Sequence, residues 1–382
     1  MKNLRDQALK AHVKYRGKLD ITSKVPLNNK KDLSLFYTPG VAEPCKDIFK
    51  DPEFAYKYTG KGNTIAVVTD GSAVLGLGNI GGLAGLPVME GKAVLFKKFG
   101  SINAVPICLN TQDTEEIIKI VKAIAPSFGG INLEDIAAPR CFEVEERLKK
   151  ELDIPVFHDD QHGTAIVCLA GMINALKLVR KSAATVTVVL CGAGAAGTAI
   201  TKLMMKYGFK NFLLLDSRGL IYEGRDGLDD AKKKMAKITN KNRIKGGLAE
   251  ALKGADIFIG VSKPNLVTKE MVKTMASKPI IFAMSNPDPE IRPEEAKKGG
   301  AYIIATGRSD HPNQVNNALV FPGIFKGALE ARAKQITDDM KIAAAVGLAK
   351  MVKKPSVDKI IPGIFEKGVA NAIASAVKKY AK

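Results

Sequence analysis

The chain has no tryptophan, only four histidines and only five cysteines in 382 residues. Cys45, Cys108, Cys141, Cys168 and Cys191 are odd in number, form no close pairs and lie mostly in apolar runs. That pattern excludes a disulfide scaffold and a zinc-ligand spacing, and predicts small buried hydrophobes in a reducing compartment. No apolar run approaches the roughly 18 residues of a membrane span. Residues 1–20 are charged throughout, with no signal-peptide apolar segment. The expected location is cytoplasmic, with no membrane partner. Arginine is scarce too, 11 of the 58 basic residues. The formal charge of +19 could serve a nucleic-acid surface, but the lysines are scattered over helical faces without interleaved aromatics. Arginine is also the better residue for bidentate phosphate and base contacts. The expectation is no nucleic acid, and a solvated lysine-rich surface attractive to anionic metabolites.

What is present is an ordinary globular composition long enough for two domains, expected at 1–158 and 159–382. Residues 1–58 read as mostly helical and polar, interrupted by a Thr38-Pro39-Gly40 turn beside Tyr37. From residue 64, apolar runs at 64–69, 93–96, 104–109, 130–133 and 154–157 alternate with helical patterns. A second series puts strands at 186–190, 211–215, 257–260, 280–283 and 303–305, before an Ala-rich helical tail broken at Pro355 and Pro362. Such alternation predicts an α/β protein of two domains, each with a mainly parallel sheet, the second of Rossmann type.

Residues 154–165 carry the chemistry most plainly. A short apolar run ends in His158-Asp159-Asp160-Gln161-His162, and Gly163 leads into a helical pattern over 164–179. Acids between a strand's carboxyl end and a helix's amino end sit where open parallel sheets place their sites, and they also suit the helix dipole. A solvated acidic cap would explain one aspartate. A second pair, Glu134-Asp135, follows the 130–133 strand in the same way. Carboxylates gathered at neighbouring strand ends repel unless a cation sits among them, and oxygen ligands favour Mg²⁺ or Mn²⁺.

The pattern GxGxxG occurs twice, at Gly76-Gly78-Gly81 and at Gly192-Gly194-Gly197. The first lies beyond its strand with no acid at the expected distance, and reads as a close-packed loop. The second, with Ala195 and Ala196 inside it, follows a strand directly and opens a helix, and Asp216 ends the next strand. That context predicts a dinucleotide site, with pyrophosphate on the helix amino end and ribose on Asp216. An unphosphorylated ribose, hence NAD, suits Asp216, whereas Arg218 would suit NADP. Asn286, in Ser285-Asn286-Pro287, and the pair Asn316-Asn317 are either turn formers or ligand contacts. Lys92 borders the apolar 93–96 run, either as a surface lysine at a strand edge or as a buried functional group.

Together these stretches resemble the malic enzymes, over nearly the whole chain. The matching runs are 36–40, 67–71, 75–78, 133–135, 157–160, 163–165, 192–194, 285–287 and 316–323. The runs 70–74 and 158–162 are similar to the short, bacterial-type branch. The resemblance implies metal-dependent oxidative decarboxylation of L-malate to pyruvate and CO₂ with reduction of NAD or NADP, in a homodimer or larger oligomer. It implies Tyr37 and Lys92 as catalytic groups, with Asp159 beside the lysine, and Glu134, Asp135 and Asp160 as metal ligands. Asn286 and Asn317 would contact malate. Lys92, where its neutral form is accessible, would take the hydroxyl proton, and Tyr37 would protonate carbon 3 after CO₂ leaves. Larger family members carry a substrate arginine after the Asp70-Gly71 stretch. Here Ser72-Ala73 stand in that loop, so Ser72, loop amides or Arg308 are the candidates for the distal carboxylate. The competing readings are a non-decarboxylating NAD-dependent dehydrogenase and a non-catalytic dinucleotide sensor.

Overall fold

The computed structural model describes residues 2–74 and 76–381. Leu75, in the 75–78 stretch, lies outside the described residues. Two sheets organise the chain. The first contains β1 (Thr64–Thr69), β2 (Asn103–Cys108), β3 (Gly130–Leu133) and β4 (Val156–His158), in the order β2-β1-β3-β4 and parallel throughout. The second contains β5 (Thr187–Cys191), β6 (Asn211–Asp216), β7 (Gly219–Leu220), β8 (Ile257–Gly260), β9 (Ile280–Ala283) and β10 (Ile303–Thr306). Its order is β10-β9-β8-β5-β6-β7, and the short β7 is its one antiparallel member. Residues 65–68 of β1 and 257–259 of β8 are fully buried, as continuous apolar strands covered by helices on both faces should be. The expected α/β class with a Rossmann-type second sheet is the fold.

The Asp159–Val179 helix forms the hinge of the core, packed against Ala195–Tyr207 and Asp338–Met351. It corrects the expectation that no segment is long and apolar enough to span a membrane. By length and apolar composition it is, but most of it is buried inside the protein. A helix surrounded by other elements is apolar all round, so composition alone does not distinguish it from a span.

The C-terminal helices cross back to the first sheet. Phe321 and Phe325, on the Phe321–Glu330 helix, meet Phe96 at ring-centroid distances of 4.6 and 5.4 Å, and Phe325 lies 5.8 Å from Phe157. One hydrophobic cluster therefore joins Ile65 and Val67 of β1 to Leu190 and Ile259 of the second sheet. A boundary at 158/159 divides the chain but not the core.

The expected strand at 93–96 is not one. Residues Gly81–Leu95 form a helix, continued by a π-helical turn over Phe96–Gly100. Apolar residues at 93–96 mimic a strand, whereas the buried set Met89, Lys92, Ala93 and Phe96 follows helical spacing. One of the glycines that weaken its helix propensity, Gly82, has a packing role. A Cβ on Gly82 would lie 2.3 Å from the Leu109 carbonyl oxygen, so the helix can approach β2 only as glycine there.

Before β1 the chain is an exposed arm. The helices Lys30–Phe36, Ala42–Lys50 and Phe54–Tyr58 contain no buried residue, and Leu35, Phe36, Tyr37 and Phe49 are exposed.

Candidate active site

Parallel pairing sets the site. Val68 of β1 is in register with Leu133 of β3, and Leu133 with His158 of β4. The residues just past these strands, Asp70, Glu134-Asp135 and Asp159-Asp160, therefore gather at one carboxyl edge. Asp159 and Asp160 belong to the first turn of the Asp159–Val179 helix, where the positive dipole end offsets part of their charge.

Lys92 enters this edge from the Gly81–Leu95 helix. It is buried, with Nζ 2.6 Å from Asp159 Oδ2, 2.8 Å from Glu134 Oε1 and 4.3 Å from the centre of the Phe321 ring. The reading as a surface lysine is thereby set aside. Burial works against its charge, but Asp159, Glu134 and Asp160 outweigh it and raise the pKa, so the group is held as an ammonium. Asn317 Nδ2 donates to the same Asp159 oxygen at 2.6 Å.

Beside the lysine, one carboxylate oxygen from each of Glu134, Asp135 and Asp160 lies within 4.8 Å of the others. The Asp135 amide donates to Asp160 Oδ2 at 2.8 Å, with Asp135 in the left-handed region at φ 54°. Asp135 Oδ2 is buried and has no hydrogen-bond partner. Burial, with Asp160 and Glu134 close by, pushes the Asp135 pKa up to about 9. Converging hard oxygens that repel one another, one of them without a donor, fit a divalent cation such as Mg²⁺ or Mn²⁺.

A cavity of about 620 Å³ runs from these acids to the carboxyl ends of the second sheet. Asp135, Asp160, Gly76 and Ala73 line it together with Ala195, Ala196, Ser262, Asn286, Gly307, Asn316 and Asn317. Of the first glycine motif, expected as a close-packed loop, Gly76 lines the cavity, whereas an added Cβ on Gly78 or Gly81 would meet nothing within 4 Å. In the second, Gly192 has φ 117°, and a Cβ on Gly197 would lie 1.9 Å from the Gly192 carbonyl oxygen. A Cβ on Gly194 would meet nothing within 4 Å, leaving open space at the amino end of the Ala195–Tyr207 helix. Glycines for a tight turn, close strand-helix packing and an open backbone approach fit a dinucleotide pyrophosphate.

Several expected residues are placed otherwise. Ser72 is buried and its hydroxyl is engaged, donating to Asp70 Oδ1 at 2.6 Å and accepting from the Ala137 amide at 2.8 Å. It does not line the cavity, because Asp70 turns it inward. Arg308 lies beside the cavity, with its guanidinium on Asp310 and the Pro287 carbonyl. Asp216 ends β6 as expected, but its carboxylate is not free. Arg225 Nη2 holds Oδ2 at 2.5 Å and the Arg218 amide donates to Oδ1 at 2.9 Å. Arg218 itself turns to the Gly227 carbonyl. Tyr37 is 65% exposed on the arm, and among the described residues no contact joins it to Lys92 or the acids.

The sequence reading missed the groups that hold the ligand-bearing turns. Asn132 Nδ2 donates to Glu134 Oε2 at 2.9 Å. Glu145 accepts from the His158 amide at 3.2 Å and from His162 Nε2 at 2.8 Å, pinning both sides of Asp159-Asp160. Gly163 was legible only as a helix opener. A Cβ there would lie 1.9 Å from Asp159 Oδ1, so glycine gives that carboxylate its room. The helical spacing of Glu145 with Cys141, Val144 and Leu148, all buried, was the available signal for an inward-facing acid.

Comparison with known proteins agrees with this architecture. The description "Malic enzyme, N-terminal domain" matches residues 16–149, and "Malic enzyme, NAD binding domain" matches 161–382. A bifunctional malic/malolactic enzyme of Bacillus subtilis is 59% identical, over 99% of this chain and 93% of that protein. An NADP-dependent malic enzyme of Rhizobium meliloti is 49% identical over 98% of this chain, which spans 52% of it. The crystal structure of an NAD-dependent malic enzyme from Thermotoga maritima superposes with a TM-score of 0.95 at 51% identity, covering 97% of this chain and 98% of that one. With both halves of the chain matched, and a lysine buried among strand-end acids across a cavity from a glycine-rich dinucleotide turn, this chain belongs to the malic enzyme family.

Proposed function

We propose that the protein oxidises and decarboxylates L-malate to pyruvate and CO₂ while reducing a nicotinamide dinucleotide, in the cytoplasm. The observation that carries this reading is one cavity lined both by Asp135 and Asp160, acids of the cluster around Lys92, and by Ala195 and Ala196 of the glycine-rich turn. Residues 1–158 supply the substrate and metal groups and 159–382 the dinucleotide groups. Glu134, Asp135 and Asp160 are the ligands of a divalent cation, Mg²⁺ or Mn²⁺, which when bound supplies Lewis acidity toward the oxygens of a 2-hydroxy acid. A simple hydride-transfer dehydrogenase has no use for such a trio.

Lys92 is the general base for the malate hydroxyl. Its proton affinity depends on how many of the surrounding carboxylates remain free, so each one engaged elsewhere brings its neutral form nearer. Asp159 and Asn317 fix the position of the lysine, and Asn286 and Asn317 contact substrate across the cavity. Gly192, Gly194, Ala195, Ala196 and Gly197 carry the pyrophosphate. NAD is favoured over NADP, because Asp216 stays anionic. Burial opposes its charge, but Arg225 and the Arg218 amide outweigh that and lower its pKa. A fixed carboxylate there repels a 2′-phosphate.

A homodimer is supported by the arm, whose exposed Leu35, Phe36 and Phe49 make an apolar surface that a second copy can cover. Tyr37, the proton donor to carbon 3 in this reading, rides on that arm. The test is to supply L-malate, Mn²⁺ and each dinucleotide, and to measure pyruvate, CO₂ and reduced cofactor before and after chelation. Turnover that persists in excess chelator, or cofactor reduction without CO₂, refutes it. Light scattering reads the oligomeric state.

A further inference from the structure

Glu290 is a carboxylate that the proposed chemistry does not use, and it is fully buried. Among the described residues no basic side chain pairs with it. Its two oxygens are divided between two loops. Oε1 accepts from the Ser262 amide at 2.9 Å, just past β8, and Oε2 accepts from the Ser285 amide at 3.0 Å, just past β9. Ser262 and Ser285 both line the cavity, as does Asn286, the residue after the second contact. Room for the carboxylate is provided by Gly260, where a Cβ would lie 2.3 Å from its carboxyl carbon.

An isolated buried charge costs free energy, and burial raises the Glu290 pKa accordingly. Main-chain bonds from Asn265 to the Pro289 carbonyl and from Val267 to the Glu290 carbonyl already tie the outer parts of these loops together. The carboxylate is therefore not needed to join them. It does what a neutral side chain cannot, offering an acceptor to both loop tips at once. A glutamine would accept from one amide and present its NH₂ to the other, donor against donor.

We propose that Glu290 is a positioning residue for the dinucleotide, setting the spacing of the 262 and 285 loop tips that form the cavity wall facing the glycine-rich turn. This rests on the reading of that cavity as a dinucleotide site. The test compares the full-length protein with Glu290→Gln by calorimetric titration of NADH and of Mn²⁺, with thermal unfolding alongside. Loss of one charge-assisted bond at a loop tip should weaken NADH binding roughly tenfold. Mn²⁺ affinity should hold, and the unfolding midpoint should fall only modestly, because one buried amide loses its acceptor while the buried charge also disappears. A lowered midpoint with unchanged NADH affinity is what a purely structural role gives, and it overturns the proposal. Should Glu290→Gln fail to fold, Glu290→Asp keeps the charge but is one methylene short of spanning both amides. Weaker NADH binding by that variant supports the proposal, and parental binding overturns it. A parent protein that binds neither NADH nor NADPH refutes the functional reading itself, and this inference with it.

Discussion

Acids end strands in both sheets, yet they differ in what answers their charge. Asp70, after β1, accepts from the Ser72 amide and hydroxyl and pairs with Arg140 Nη2 at 3.0 Å. Asp216, at the end of β6, is held by Arg225. Glu134, Asp135 and Asp160 face one another and share a single lysine, with no arginine among them. The first two are satisfied by the protein. In the trio Glu134 is held by Lys92 and Asn132 and Asp160 by the Asp135 amide, but Asp135 Oδ2 has no partner, and burial among like charges raises the pKa of Glu134 as well as Asp135. A strand-end acid is thus a candidate metal ligand where the fold withholds an arginine, and a structural or ligand-orienting group where it provides one.

The trio gives the sharpest way to break that contrast. Replacing Asp160 with Ala, or Asp135 with Asn, should reduce kcat/KM for malate by more than about 10³, since Lewis-acid stabilisation is worth several kcal/mol. In chelated protein near neutral pH Asp135→Asn should raise the unfolding midpoint, because folding no longer has to protonate a carboxyl whose pKa is pushed up to about 9, and Mn²⁺ should no longer raise it further. A variant that keeps its Mn²⁺-dependent stabilisation would place the cation elsewhere.

Next in size is Lys92→Ala, with an expected loss of about 10² to 10⁴ in malate oxidation, typical of a missing general base. Decarboxylation of added oxaloacetate, which needs no base for a hydroxyl proton, should fall far less. Equal losses that vanish at saturating substrate would make Lys92 a binding group only.

Asp216→Ala should move the NAD to NADP ratio of kcat/KM toward NADP by roughly tenfold. Arg225→Ala, which frees the carboxylate, should move it the other way. A parental ratio in both variants would remove Asp216 from cofactor choice.

The smallest effect belongs to Ser72→Ala. Its hydroxyl serves Asp70 and the Ala137 amide, so the change should cost about 1–2 kcal/mol of stability in denaturant unfolding. The KM for malate should stay put, and a large rise would return Ser72 to the substrate site.

The positions of most strands, the two glycine motifs and the acids themselves were legible in the chain, because each depends on local chemistry. Period-two and continuous apolar runs make strands, glycine permits a turn, and an acid after a strand lies at the sheet's carboxyl edge. Lys92 was legible as a residue but not as a position. The apolar run beside it fits strand and helix equally, and close packing of Gly82 on β2 decided for helix.

By itself the sequence determined the α/β class and the family, and offered a candidate set of groups for the chemistry. Only the tertiary structure decided which charges remain unanswered, because pairing partners come from elements far apart in the chain. Asn317 reaches Asp159 across 158 residues, Arg140 reaches Asp70 across 70, and Phe321 supplies the ring under Lys92. It also left Tyr37 outward, since the Lys30–Phe36 helix that it ends has no buried residue with which to dock on its own chain. Whether a charged group is spent on the fold or kept for a ligand depends on what packing brings within about 3 Å of it, and that distance is not written in the order of residues.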